Sequence, residues 1–298
     1  MTIATHQTDA TGRDAYTTAQ LMRFGFLNID KPAGMTSHDV IDIIRRITKL
    51  RRVGHSGTLD PAVTGALPVG LHTATRLLEY LLEAGKTYDC IMNVHALLPE
   101  AAVRELLQRF VGEIEQMPPV RSRVVRQLRK RHVYGIELAS VDGRDVRFTV
   151  DCEAGTYIRT LCVDFGKLAG VEAHMAWLRR LRAGPFHADS LLTLDELAKL
   201  HEAWKQRGEE GIRQYLYPPQ TALRQLPGIR LEPGDLEQLR HGQEVVAEWQ
   251  GEAYTGEIAV ADMRGRLCAV AAAEPGSTHG VIEIYPRKVL DVDYDAPR

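Results

Sequence analysis

Apolar and polar positions recur along this chain with two periods, and the switches between them outline its elements. Phe24-Gly25-Phe26-Leu27-Asn28-Ile29 reads as a strand ending in the turn Asp30-Lys31-Pro32-Ala33-Gly34. Ser37 then stands where a helix cap belongs, ahead of Val40, Ile43, Ile44 and Ile47 at the i, i+3, i+4, i+7 spacing of a one-faced helix. A helical run follows near residues 73–83. Tyr88, Cys90, Met92 and Val94 alternate with more polar neighbours, as a half-buried strand does. Residues 99–111 predict a helix, and residues 133–139 and 146–152 predict paired strands around Asp142-Gly143-Arg144. Glu153-Ala154-Gly155-Thr156 predicts a turn into a helix that starts near Tyr157. Helices are expected at 193–204 and 209–215, closing at Pro218-Pro219. Beyond Leu226-Pro227-Gly228 the pattern becomes short strand-like pieces with glycine turns through Val289.

Strands interleaved with helices, without a regular β-α-β repeat, predict an α+β fold. Neither a G-x-G-x-x-G nor a G-K-[ST] phosphate loop is present. The 298 residues exceed one average domain, and 44% hydrophobic with 26% charged residues is ordinary globular composition. The first 22 residues, rich in Thr, Ala and Gln, read as a loose tail. With no apolar run of membrane-spanning length and no signal-peptide pattern, the expectation is a cytoplasmic protein. Cys90, Cys152, Cys162 and Cys268 are far apart, which predicts buried thiols and no metal site. No cofactor is expected.

The net charge of −2 divides unevenly. Residues 23–182 carry 24 Lys/Arg against 18 Asp/Glu, whereas residues 183–298 carry 12 against 19. A polyanion-binding surface is therefore expected mainly on the first part. Two basic runs sit there: Arg45, Arg46, Lys49, Arg51 and Arg52, and then Arg121, Arg123, Arg126, Arg129, Lys130 and Arg131. A charge run by itself is usually a solvated face.

The candidate chemistry lies between Gly54 and Gly70, a Gly- and Pro-rich stretch that reads as too irregular for a helix or a strand. It surrounds one carboxylate, Asp60. On residue type alone, an aspartate before a proline in such a loop is turn chemistry. The whole segment, Gly54-His55-Ser56-Gly57-Thr58-Leu59-Asp60-Pro61 through Gly65-Ala66-Leu67-Pro68, resembles the catalytic loop of the TruB/dyskerin family of pseudouridine synthases. That resemblance makes Asp60 the nucleophile in the isomerisation of uridine to pseudouridine in RNA.

Further segments carry the same likeness. Lys86-Thr87-Tyr88 is similar to the family's K-x-Y motif, which implies that Tyr88 stacks on a flipped uracil and assists proton removal at C5. Gly155-Thr156-Tyr157-Ile158-Arg159-Thr160-Leu161 is similar to G-[ST]-Y-[IV]-R-x-L, which implies an ion pair from Arg159 to Asp60 and a pocket wall at Tyr157. Arginine suits that place, because a fixed guanidinium favours the charged, oriented form of a carboxylate. Ala173-His174 through Leu178-Arg179-Arg180 resembles A-H-x-x-x-L-R-R, which puts Leu178 against the uracil; His55 would contact RNA beside the pocket. Lys31-Pro32-Ala33-Gly34 matches the K-P-x-G turn, with a structural role.

The resemblance implies a pseudouridine synthase mixed-sheet catalytic core at 23–220 and a small β-rich PUA-like RNA-binding domain at 227–295, after a flexible tail at 1–22. It implies RNA as partner, the tRNA T arm first, with Arg126, Arg129 and Lys130 on phosphates. The missing insertion after Asn93-Val94-His95-Ala96 resembles instead the dyskerin branch, whose members work with guide-RNA particle proteins. A non-catalytic RNA-binding protein is the third reading; the joint presence of Asp60, Tyr88 and Arg159 argues against it.

Overall fold

The computed structural model describes residues 4–5, 12–117 and 127–290. After a short strand β1 (Ala4–Thr5), helix α1 (Thr18–Phe24) opens with a reciprocal cap. The N–H of Gln20 donates to Thr17 Oγ1, and the N–H of Thr17 donates to Gln20 Oε1. The loose tail expected over residues 1–22 is thus not what residues 12–22 adopt. Their Thr and Gln make the cap, while Leu21, Met22 and Tyr16 are buried, Tyr16 at 2% exposure. The Tyr16 hydroxyl donates to Gln220 Oε1 (2.9 Å) and accepts from the N–H of Leu267 (2.7 Å), tying this segment to the far end of the chain.

The main sheet has the order β2-β4-β9-β5-β8-β7-β6, with β3 on β4 and β10 on β9. Its strands are β2 (Phe26–Lys31), β3 (Val53–His55), β4 (Thr64–Leu71), β5 (Lys86–Val94), β6 (Gly112–Gln116), β7 (Arg129–Asp142), β8 (Asp145–Cys152), β9 (Ala173–Ala183) and β10 (Phe186–His187). Pairing is antiparallel except between β4 and β9. Between the strands run α2 (Ser37–Thr48), α3 (Leu78–Leu82), α4 (Glu100–Gln108), α5 (Ile158–Ala169) and α6 (Leu194–Arg207). Helix α2 buries Val40, Ile41, Ile44 and Thr48, leaving Ile43 and Ile47 half-buried, because it packs on both β3 and α6. The stretch expected to be irregular, Gly54–Gly70, is extended at both ends. Pro68 has no N–H to give but accepts from the N–H of Ser56 (3.0 Å), so flanking strands override its breaker character.

The second sheet, β1-β11-β13-β14-β15-β12, comprises β11 (Gly228–Arg230), β12 (Val245–Glu248), β13 (Gly256–Ala261), β14 (Leu267–Pro275) and β15 (Val281–Val289), with α7 (Pro233–Arg240) beside it. Ile229, Leu236, Leu239, Ile258, Val260, Ile282 and Ile284 fill its own core. A shared apolar cluster of Phe24, Phe26, Leu77, Leu81, Phe186, Leu223, Leu267, Val270 and Leu290 joins the two sheets. The expected α+β division into a mixed-sheet core and a smaller β-rich unit is therefore present.

Candidate active site

Asp60 sits in residues 56–63, the loop between β3 and β4. Its neighbours Leu59 and Val63 are buried in a cluster with Cys90, Ile158, Leu161 and Leu178, against which Tyr88 packs. Polar clamps hold the loop from three elements. Lys31, at the end of β2, is fully buried and its Nζ donates to the carbonyls of Pro32 (2.8 Å), Pro61 (3.1 Å) and Val63 (2.8 Å). Ser37, at the start of α2, accepts from the N–H of Leu59 (2.9 Å). Arg180 of β9 donates through Nη2 to the Gly57 carbonyl (3.1 Å) and through Nε to that of Ala66 (2.7 Å). The Asp60 carboxylate itself stays half-exposed and is ion-paired with Arg159.

Arg159 lies in the first turn of α5, where a cation opposes the helix dipole. The Asp60 carboxylate supplies the compensating charge. The start of α5 is set by Gln116, buried at the end of β6. Its Oε1 accepts from the N–H of Tyr157 (2.9 Å) and its Nε2 donates to the Tyr157 carbonyl (3.1 Å). One amide thus takes both backbone groups of the residue that leads into the helix, and Tyr157 keeps a half-buried side chain.

Tyr88 faces the cluster from β5, opposite Arg180, while Cys90 opposes Leu178. Burial pushes the Tyr88 phenol upward, and the charge of the neighbouring Arg180 guanidinium pulls it back. Burial pushes the Lys86 ammonium down to about 8; its Nζ donates to the carbonyls of Leu81, Leu82 and Ala84. Lys31 is lowered for the same reason, with the Asp60 charge opposing. His55 is lowered by burial and then by Arg180 and His38, so it is a neutral imidazole here; its Nδ1 is buried without a hydrogen-bond partner.

The structure thus brings Asp60 and Arg159 into contact and places Tyr88 and Leu178 on the apolar cluster that anchors the Asp60 loop. Arg129 and Lys130 lie on β7 beside Gln116 and Glu115. Lys130 is exposed and pairs with Glu113 (2.9 Å), so its charge is shared at rest. Arg126 lies outside the described residues. Sequence reasoning missed Gln116 and Arg180 and underrated Lys31. Only Arg180 and Lys31 had a signal, inside the L-R-R and K-P-x-G stretches. Among the described residues, no three His, Cys, Asp or Glu side chains are grouped to hold a metal ion.

A family model for the TruB family pseudouridylate synthase N-terminal domain matches residues 45–100 and 93–158. One for the tRNA pseudouridylate synthase B C-terminal domain matches residues 159–224. The chain is 42% identical over 279 residues to the probable tRNA pseudouridine synthase B of Pyrococcus abyssi, across 91% of this chain and 83% of that protein. It is 39% identical over 277 residues to that of Methanothermobacter thermautotrophicus, across 89% and 86%. Among solved structures, the crystal structure of a Cbf5-Nop10-Gar1 complex superposes with a TM-score of 0.84 at 37% identity, covering 96% of this chain and 91% of that one. The structure of an H/ACA RNP bound to a substrate RNA containing 2′-deoxyuridine also gives 0.84, at 33% identity over 99% and 96%. The architecture is a pseudouridine synthase core followed by a β-rich PUA-like domain. With its Gly54–Pro68 motif, its fold and near full-length relatives in agreement, the chain belongs to the TruB family of RNA pseudouridine synthases.

Proposed function

We propose that this protein converts uridine to pseudouridine at position 55 of the tRNA T loop, with Asp60 as nucleophile on a uridine flipped out of its stack. The observation that carries the reading is the ion pair between Asp60 and Arg159, formed across 99 residues of sequence at the edge of the Tyr88–Leu178 cluster. The named relatives support tRNA as the substrate class. The reaction breaks the C1′–N1 bond, turns the uracil and joins C1′ to C5. The proton lost at C5 is matched by one gained at N1, so no oxidant or reductant is needed. Asp60 attacks, Arg159 orients its carboxylate, and Tyr88 stacks on the base and assists removal of the C5 proton.

Leu178 and Tyr157 form the remaining walls, and His55 contacts RNA beside them. Arg126, Arg129 and Lys130 bind phosphates, in keeping with the surplus of Lys and Arg over residues 23–182. The catalytic unit spans 23–220, the PUA-like unit spans 227–295 and supplies a second RNA contact, and the enzyme works in the cytoplasm. No helix among the described residues is long and apolar enough to cross a membrane.

A second reading, a guide-RNA-dependent catalytic subunit, is favoured by the full-length superposition on Cbf5 in its complex with Nop10 and Gar1. One experiment separates the two. An unmodified tRNA transcript is incubated with the purified protein alone, with Asp60→Asn in parallel, and pseudouridine is mapped. Product at T-loop position 55 from wild type only, with RNA affinity of the variant within a few-fold, supports the stand-alone enzyme. Failure of wild type to modify an RNA that it binds points to the guide-dependent subunit. Loss of RNA binding in step with turnover in Asp60→Asn rejects Asp60 as nucleophile.

A further inference from the structure

Arg180 is the largest fully buried side chain among the described residues, 1% exposed, and a guanidinium keeps its proton even there. Buried cations are ordinarily matched by a carboxylate. Arg180 has none: among the described residues it donates to the carbonyls of Gly57 and Ala66 and stands opposite Tyr88 in the β5–β9 register, where its charge acts on the tyrosine. Those contacts come from the Asp60 loop, from β4 and from β5.

The surrounding backbone makes room for this side chain. Gly57 has φ +82°, and a Cβ there would come 3.3 Å from Arg180 Nη1. Gly65 has φ +99°, and a Cβ there would meet the Arg180 carbonyl oxygen at 2.2 Å. Two glycines of positive φ, Gly57 in the loop and Gly65 at the start of β4, therefore let β9 approach and let the guanidinium seat. The groups that feel its charge are Tyr88, the ammonium groups of Lys31 and Lys86 and the His55 imidazole, with the Cys152 thiol adjoining Tyr88. In that company, the Tyr88 oxygen is the group best placed to take up negative charge.

We infer that Arg180 is a positioning residue for the isomerisation: its guanidinium, fixed on the carbonyls of Gly57 and Ala66 and set opposite Tyr88 across the β5–β9 pair, stabilises negative charge on the Tyr88 oxygen. This inference rests on the proposed role of Tyr88 in removing the C5 proton. It makes Arg180 act through Tyr88, without touching the uridine. A purely structural arginine would stabilise the sheet and leave the behaviour of the tyrosine unchanged.

A double-mutant cycle in the full-length protein tests it, using Arg180→Lys, Tyr88→Phe and the combined variant, with single-turnover rates at saturating RNA. Arg180→Lys keeps the charge and loses the fork. We expect it to slow isomerisation ~10-fold or more, on the scale of a positioned proton transfer, with RNA affinity preserved. In the Tyr88→Phe background the same change should cost less than ~3-fold, because the route through the hydroxyl is already gone. Effects that multiply in the double variant overturn the inference.

A second readout does not need activity. Carbon-13-labelled tyrosine is titrated by NMR in wild type, Arg180→Lys and Arg180→Gln, with the Tyr88 signal identified by its loss in Tyr88→Phe. The expected result is a Tyr88 titration displaced to higher pH by a unit or more in Arg180→Gln, and by less in Arg180→Lys. An unmoved titration in a folded Arg180→Gln overturns the inference. Should that variant not fold, Arg180→Lys decides by the rate cycle. Full activity of Tyr88→Phe would reject the role of Tyr88 and this inference with it. An inactive wild type would reject the proposed function alone, since the titration still reads the Arg180–Tyr88 link.

Discussion

In the first sheet, Lys31, Lys86 and Arg180 lie buried with their charged heads on backbone carbonyls; the second is closed by Ile229, Leu236, Ile258, Val260 and Ile284. Among the described residues after 227, the buried polar or charged side chain is Arg266, and it is paired with Asp262. Apolar closure is the cheaper solution, because burying a charge costs several kcal/mol while an isoleucine gains free energy by leaving water. The first sheet departs from that solution where the chain must present one carboxylate on an irregular loop. The loop carbonyls of Pro32, Gly57, Pro61 and Val63 have no ladder to join there and are satisfied by Lys31 and Arg180, while Lys86 takes carbonyls at the end of α3. The difference teaches that Lys31 and Arg180 mark the part of the core that holds the Asp60 loop in place, and the apolar sheet marks the part that serves as scaffold.

Three measurements can break or sharpen that contrast. Lys31→Met has the largest expected effect. It strips the donor from three carbonyls, that of Val63 in a buried contact and those of Pro32 and Pro61 in partly buried ones, and should cost about 3 kcal/mol in denaturant unfolding, at roughly one kcal/mol per group, and slow turnover at least ~10-fold. A loss under ~1 kcal/mol would show that the clamp is dispensable and the contrast misplaced. Ile258→Ala in the second sheet should cost about 3 kcal/mol through its cavity and leave the single-turnover rate within ~2-fold at saturating RNA. A slower chemical step in that variant would mean that the scaffold reaches the active site through the shared cluster at Phe26, Leu267 and Val270.

The smallest effect concerns Lys86. Its folded-state value of about 8 lies below the ordinary 10.5, so the unfolded chain binds the proton more tightly over that interval. Stability contributed by this group therefore rises as pH climbs through that window. Between pH 7 and pH 9 the wild type should gain about 1 kcal/mol relative to Lys86→Met, measured by paired unfolding curves. A difference between the two proteins that does not change with pH would place a fully charged ammonium in that carbonyl cage.

Much of this was legible in the chain before any coordinates. The alternation at Tyr88, Cys90, Met92 and Val94 places those side chains on one face of β5, because a strand's period is fixed by backbone geometry alone. The turn at Glu153-Ala154-Gly155-Thr156 into the helix after Tyr157 and the pairing around Asp142-Gly143-Arg144 were equally readable, since each is encoded within a few neighbouring residues. Residues 12–22 were misread because polar side chains in a capping box resemble those of a solvated tail. Gly54–Gly70 was misread because glycine and proline disfavour strands locally, while the energy of pairing with β2 comes from elsewhere in the chain.

What the sequence by itself determined is therefore local: the period of each element, the catalytic-loop motif and the family it announces. The tertiary structure decided which carbonyl receives Lys31, which backbone Gln116 grips, and that Arg180 meets Gly57 across 123 residues and Tyr88 across a strand pair. Those assignments depend on register and bulges between distant strands, including the shift between Thr87 and Tyr88 that sets Arg180 opposite the tyrosine. Register is settled by burying one face of the whole sheet at once, and no short stretch of sequence carries that balance.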